Sequence, residues 1–186
     1  MATSLRSAAR AAVGADGLVL VADGECCGVV TVGGLLDALA ADEDPITRLP
    51  RSGALRDWLA EQLSYGREVS VVFLDLDGFG EINKAYGHTE GDAVLARAAQ
   101  AITGTCKEGD FPARFGGDEF AIGTLRPRAG AESLAEHVQD SLRAVGLSAP
   151  TGVSGGRRDS IREGENVAAT VEELLRLASL ACLEKK

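Results

Sequence analysis

The stretch Val69–Phe79, VSVVFLDLDGF, decides what kind of chain this is. Val69–Leu74 is an almost continuous apolar run with no polar alternation, as expected of a strand covered on both faces. It ends in Asp75 and Asp77, which such a strand carries to its carboxyl edge, where α/β sheets bind ligands. Alternate residues of a strand share a face, so the two carboxylates are expected to point the same way. Like charges this close repel unless a cation lies near them, and Mg²⁺ suits oxygen ligands and completes its shell with water and phosphate. The plain alternative is a pair of solvated strand-end carboxylates.

On both sides of this strand the pattern alternates. Leu55, Trp58, Leu59 and Leu63 fall on one helical face, as do Val94, Leu95, Ala98, Ala101 and Ile102, and later Leu134, Val138, Leu142 and Val145. Phe111–Phe115 and Phe120–Leu125 flank a Gly-Gly turn and read as a hairpin. A short strand near Thr151–Ser154 precedes a final helix over Val171–Glu184. Strands alternating with helices plus one hairpin predict an α/β (α+β) domain with a mixed central sheet flanked by helices.

The hairpin carries RFGGDEF, Arg114–Phe120. Gly116 and Gly117 permit backbone geometry and close approach to a phosphate that side chains would block. Asp118 and Glu119 follow at once. A plain turn needs a glycine but not two acids at the start of a buried strand.

Upstream, an Ala-rich helical stretch Ser4–Val13 leads to apolar runs Leu18–Ala22 and Gly28–Val32 around a turn at Asp23-Gly24. Leu35, Leu36 and Leu39 then fall at helical spacing. Helix–strand–strand–helix in so few residues cannot bury a core alone and needs something to pack on. Residues 1–41 form this block, 42–51 (within ADEDPITRLPR, Ala41–Arg51) read as a linker with two prolines and no periodicity, and 52–186 form the main domain.

Composition narrows the function. Among 186 residues, 45% are hydrophobic, 25% charged and 4% aromatic, which gives a globular chain with an aliphatic core. The formal charge of −9 disfavours a binder of nucleic-acid polymers, whose affinity rests on Lys and Arg. A nucleotide triphosphate remains compatible, because a bound metal ion reverses the local field. No run approaches the roughly 18 apolar residues of a membrane span, and no signal peptide is seen, so no membrane insertion and a cytoplasmic location are expected. Cys26, Cys27, Cys106 and Cys182 lack metal-ligand spacing and read as reduced thiols in small apolar sites.

Taken together, FLDLDGF, INKAYGHTEGD (Ile82–Asp92) and RFGGDEF, with DPIT at Asp44–Thr47 and EELLRLA at Glu172–Ala178, resemble the GGDEF family of bacterial diguanylate cyclases. The resemblance covers about Asp44–Lys186. It implies a nucleotidyl-cyclase, palm-like fold in which each domain binds one GTP and two domains face each other as a homodimer. Mg²⁺ (or Mn²⁺) is then held by Asp75, the Leu76 carbonyl, Asp118 and Glu119. Asp118 and Glu119 are the catalytic acids, Glu119 drawing the proton from the attacking hydroxyl. Asn83 and Asp92 read guanine, Gly116 and Gly117 lie beside the phosphates, and Lys186 reaches them. The implied activity condenses two GTP into cyclic di-GMP and pyrophosphate, in signalling.

Several positions depart from the family pattern. Arg48 and Arg51-Ser52 stand where many members have a Gly and an Asn-Arg pair. Gly80 replaces a Lys near the triphosphate, and the family's second terminal cation would fall beyond Lys186. The product-inhibition pattern RxxD reads Lys107-Glu108-Gly109-Asp110, a degenerate inhibitory site, because Lys107 lacks the planar fork of Arg. Leu18–Leu39, chiefly GVVTVGGLL (Gly28–Leu36), resembles part of a single CBS motif, with Gly34 in place of the ribose-holding Asp. Dimerisation through the faces of Val29, Leu35 and Leu39 is its expected role. Two function classes therefore stand: an active diguanylate cyclase, and a non-catalytic module that binds GTP or cyclic di-GMP and signals through a protein partner. A purely structural interaction domain leaves the acid cluster unexplained.

Overall fold

The computed structural model describes residues 8, 12, 15–22, 24–155 and 167–186. The chain divides into two compact units, Met1–Glu43 and Asp44–Lys186.

In the first unit, β1 (Gly17–Ala22) and β2 (Glu25–Thr31) form an antiparallel ribbon, followed by α1 (Val32–Ala41). The two strands and the helix stand where hydropathy places them, although Val32 opens the helix and does not close the strand. The helix expected over Ser4–Val13 lies, apart from Ala8 and Ala12, outside the described residues, as does Asp23. Leu35 is buried, whereas Val19, Val21, Val29 and Leu36 are exposed. Cys26 and Cys27 are exposed too, against the expectation of small apolar sites, because a two-stranded ribbon offers little interior.

The second unit holds α2 (Ser52–Ser64), β3 (Ser70–Asp75), α3 (Phe79–Tyr86), α4 (His88–Thr105), β4 (Asp110–Gly116), β5 (Glu119–Thr124), α5 (Arg128–Ala144), β6 (Thr151–Gly155) and α6 (Val167–Leu183). Its sheet has the order β4-β5-β3-β6. The α+β class stands, with one difference from the mixed sheet expected: every strand pair is antiparallel. The two-helix crossover returns β4 parallel to β3, but β5 slots between them. Among the described residues the parallel contact is confined to an isolated bridge between Arg51 and Arg114.

The pleat of β3 divides the core. Val72 and Leu74 face α4 and α5 through Val94, Leu95, Ile102, Leu134 and Val138. Val71 and Phe73 face α2 and α6 through Leu55, Leu59, Leu175 and Ala178. β3 is therefore a two-sided strand, as its unbroken hydrophobicity requires. Val145 is the exception among the helical contacts expected in this unit; it lies past the end of α5 and is exposed.

The reading of Asp44–Arg51 as a linker is corrected. Asp44, Thr47 and Leu49 are buried, and Leu49 joins the core. Periodicity is silent here because a turn has none; what orders it is hydrogen bonding. The Asp44 carboxylate accepts from the Thr47 amide at 2.9 Å and its hydroxyl at 2.8 Å, and the Asp44 amide donates to the Leu49 carbonyl at 2.8 Å.

The glycines of TGVSG also gain a reason. A Cβ on Gly152 would lie 2.0 Å from the Ala178 carbonyl oxygen, so glycine is what lets α6 lie directly on β6. That contact carries the end of α6 to the carboxyl edge of β3.

Candidate active site

β3 ends on Asp75, which pairs in register with Glu119, the first residue of β5. Between β4 and β5 the chain turns on Gly117-Asp118, and Gly117 sits at φ 54°, a left-handed conformation that suits glycine. The Leu76 amide donates to the Asp118 carbonyl at 3.2 Å, which pins the turn to the strand tip. Sheet register and one backbone bond thus gather Asp75, Asp118 and Glu119.

Their electrostatics are unbalanced. Asp75 Oδ1 is buried with no hydrogen-bond partner, while Oδ2 accepts from the Lys186 ammonium at 2.9 Å. Leaving a buried polar atom unpaired costs about 1–3 kcal/mol, and more when it is charged. The Glu119 carboxyl is pushed above its ordinary 4.5, first by burial and then by the negative charges of Asp75 and Asp118, against the pull of Lys186. The hydrogen bond to Asp75 raises Lys186.

Among the described residues no three His, Cys, Asp or Glu side chains form a ready-made metal cage. Mg²⁺ does not need one. It is commonly bound by one or two carboxylates, with water and phosphate oxygens supplying the rest. A buried carboxylate oxygen without a donor, inside a hard-oxygen set, fits an ion shared with a phosphate.

Asp77 does not join this set, contrary to the same-face expectation. The strand stops at Asp75, so alternation ends there. Asp77 instead accepts from the Ser148 hydroxyl at 2.7 Å, and its amide donates to the Ser148 carbonyl at 2.9 Å.

Asn83 and Asp92 lie on either side of the α3–α4 corner. Gly87, at φ 85°, ends α3 with its amide on the Asn83 carbonyl at 3.0 Å, and α4 begins at the next residue. A Cβ on Gly91 would fall 2.0 Å from Asn83 Oδ1, so the bare Cα lets the Asn83 amide lie against α4, one residue from Asp92. Asn83 is half-buried and Asp92 exposed. The Asn83 amide can both donate and accept, whereas the Asp92 carboxylate only accepts.

Arg114 is the residue sequence reading missed. Its guanidinium donates to both Asp44 oxygens at 2.9 Å and to the Gly117 carbonyl at 3.0 and 2.7 Å. It braces the hairpin turn against the Asp44–Thr47 turn, a job suited to a rigid planar fork. Both ends of this brace lie in DPIT and RFGGDEF, so the signal was a charge pairing between two motifs each read alone.

Asp110 lies at the other end of the same hairpin, and its carboxylate is fully engaged. It accepts from the Thr124 hydroxyl at 2.6 Å, from Arg126 at 3.1 and 2.5 Å, and from the Lys107 amide at 2.8 Å, with 1% of the side chain exposed. Burial pushes its carboxyl up, but Arg126, Thr124 and the Lys107 amide outweigh this and hold it below 3.8. A carboxylate with four internal donors has little left for a ligand.

Comparison with known proteins agrees with this geometry. Residues 41–182 match the family described as diguanylate cyclase, GGDEF domain. The diguanylate cyclase TpbB of Pseudomonas aeruginosa strain UCBPP-PA14 is 37% identical over 120 residues, 62% of this chain and 27% of its own length. The cyclic di-GMP phosphodiesterase PdeB of Shewanella oneidensis is 34% identical over 158 residues, 78% of this chain and 17% of its own length. The chain thus spans about a quarter or less of these relatives. The crystal structure of the diguanylate cyclase SiaD with its activator SiaC, from Pseudomonas aeruginosa, superposes with a TM-score of 0.66 at 31% identity, over 81% of this chain and 60% of that one. The GGDEF domain of DgcB from Caulobacter crescentus in complex with c-di-GMP gives 0.64 at 23% identity, over 77% and 89%, a likeness of fold. An acid-tipped strand braced to a GGDEF turn, a palm-like sheet of this order and a match over most of its length make this chain a member of the GGDEF diguanylate cyclase domain family.

Proposed function

We propose that the chain is a diguanylate cyclase that condenses two GTP into cyclic di-GMP, acting in the cytoplasm as a homodimer with Mg²⁺ bound. The observation that carries this reading is the buried Asp75 Oδ1, left without a donor beside Asp118 and Glu119. Asp75, the Leu76 carbonyl, Asp118 and Glu119 would hold Mg²⁺, whose chemistry is to neutralise phosphate charge. Asn83 and Asp92 hold the guanine and so fix where the ribose and phosphates lie. Gly116 and Gly117 let the turn's backbone approach those phosphates, and Lys186 adds a cation at their side.

Glu119 is the proton acceptor. Its carboxyl is more basic than usual, which suits removal of a proton from the 3′-hydroxyl of one GTP. The freed oxygen bonds to the α-phosphorus of the second GTP, the α–β phosphoanhydride breaks, and pyrophosphate leaves. Done twice, this closes the ring, so each copy contributes one nucleotide. The first unit, which exposes Val19, Val21 and Val29, serves as the contact between copies. Engagement of Asp110 by Arg126 argues against strong product inhibition through Lys107 and Asp110.

A second reading, a module that binds GTP or cyclic di-GMP without turnover, draws on Lys186, whose ammonium holds Asp75 Oδ2 at 2.9 Å and would compete with the metal. Incubation with GTP and Mg²⁺, followed for cyclic di-GMP, separates the two. The cyclase makes product that Asp118→Ala abolishes; tight GTP binding with no product selects the module.

A further inference from the structure

The carboxyl edge of β3 has a second feature that the carboxylates do not use. A cavity of about 270 Å³ opens on the β6 side of Asp75, lined by Asp77, Gln139, Arg143, Ser148, Lys185 and Lys186 among others. This is room for several waters, or for compact anionic groups in their place. It brings three cations and one acid together in a chain that carries a net charge of −9. The single acid, Asp77, already accepts from the Ser148 hydroxyl.

One residue links the cavity to the active site. Lys186 lines it and also holds Asp75 Oδ2 at 2.9 Å. Glu119 lies on the β5 side of Asp75, and the cavity lies on the β6 side. An extended polyanion anchored at the carboxylates would therefore run past Asp75 toward Arg143 and Lys185. Position 80, at the start of α3, is a glycine and offers no competing cation there.

We infer that Arg143 and Lys185 bind the terminal phosphates of the nucleoside triphosphate, with Gln139 and Ser148 as neutral hydrogen-bond partners in the same cavity. This rests on the guanine-nucleotide reading above and adds two binding residues to it. Arg143 comes from the last turn of α5, where its known contact is an exposed pair with Asp140 at 2.5 Å. Such an exposed pair is weak and readily exchanged for a phosphate, with which Arg makes charge-assisted bonds.

The test compares a triphosphate with a monophosphate. α,β-Methylene-GTP, whose α–β bridge cannot be cleaved, and GMP are titrated into the full chain with Mg²⁺ by calorimetry. In Arg143→Gln and in Lys185→Gln the triphosphate analogue should bind about tenfold more weakly, roughly the worth of one partly exposed charged contact, with GMP affinity unchanged. Arg128→Gln, at the far end of α5, should alter neither and controls for overall charge. An unchanged ratio of triphosphate to monophosphate affinity in both cavity variants overturns the inference, as does an equal loss in Arg128→Gln. If the unaltered chain binds neither guanine nucleotide, the guanine reading itself fails, and this inference with it.

Discussion

The two ends of the β4–β5 hairpin treat carboxylates in opposite ways. At the open end, Asp110 faces Thr124 across the pair and is saturated by Arg126, Thr124 and the Lys107 amide. At the turn end, Glu119 faces Asp75, and burial together with the charges of Asp75 and Asp118 raises the proton affinity of Glu119, while one buried oxygen of Asp75 has no donor. Asp44, beside the turn, follows the first pattern: burial pushes its carboxyl up, but Thr47 and Arg114 outweigh it and hold it below 3.8. The contrast separates acids that hold the fold from acids the fold must tolerate. A chain has little reason to keep three acids against a single lysine at a strand tip unless a further cation neutralises them.

The contrast is broken most sharply by substitution at each end. Glu119→Gln should lower cyclic di-GMP formation by about a thousandfold, within the range for losing a general base together with a charged ligand. Its melting temperature should hold or rise, because an acid whose proton affinity is raised by folding destabilises the fold when ionised. Asp110→Asn should do the reverse, costing about 3 kcal/mol of stability by leaving Arg126 facing a neutral partner, while GTP binding persists. Chemical denaturation and nucleotide titration of the two variants read both effects.

Acid gives a milder version of the same comparison. Asp44 and Asp110 have folded-state proton affinities below the ordinary 3.8, so they stabilise the fold fully above that value. That stability is lost as pH falls from about 4 through their lowered folded values, and denaturation midpoints measured between pH 5 and 2.5 should fall accordingly. In Asp110→Asn the slope should shrink, because one of the two groups no longer titrates.

The smallest expected effect is at the brace. Arg48 sits at φ 59°, the left-handed region, immediately after the Asp44–Thr47 turn. Arg48→Gly removes that strain but frees the unfolded chain and gives up the Arg48 side chain's own contacts, so stability should change by no more than about 1 kcal/mol and the melting point by no more than about 4 °C. A loss of stability would mean that the Arg48 side chain contributes more than its backbone costs.

What was legible in the sequence follows from how each feature is encoded. The two-sided strand β3, the helical stripes and the hairpin are written in hydrophobic periodicity, and the carboxylates of the site lie in contiguous motifs. Asp77 was misjudged because alternation holds only within a strand, and nothing local says the strand stops at Asp75. The Asp44 turn read as a linker because its order comes from a bond to Arg114, seventy residues away, which periodicity cannot register. The Gly152 contact with α6 was invisible for the same reason: a missing side chain gives no signal until its neighbour is known.

The proposed function rests on a guanine corner at Asn83 and Asp92 feeding a metal-sharing carboxylate tip. The most direct measurement is calorimetric titration of the full chain with GTP and with ATP, with and without Mg²⁺. GTP binding should strengthen at least tenfold with Mg²⁺, and ATP should bind more weakly than GTP by about as much again, the worth of one mismatched polar contact each. Equal affinity for the two nucleotides, or GTP binding indifferent to Mg²⁺, would contradict it.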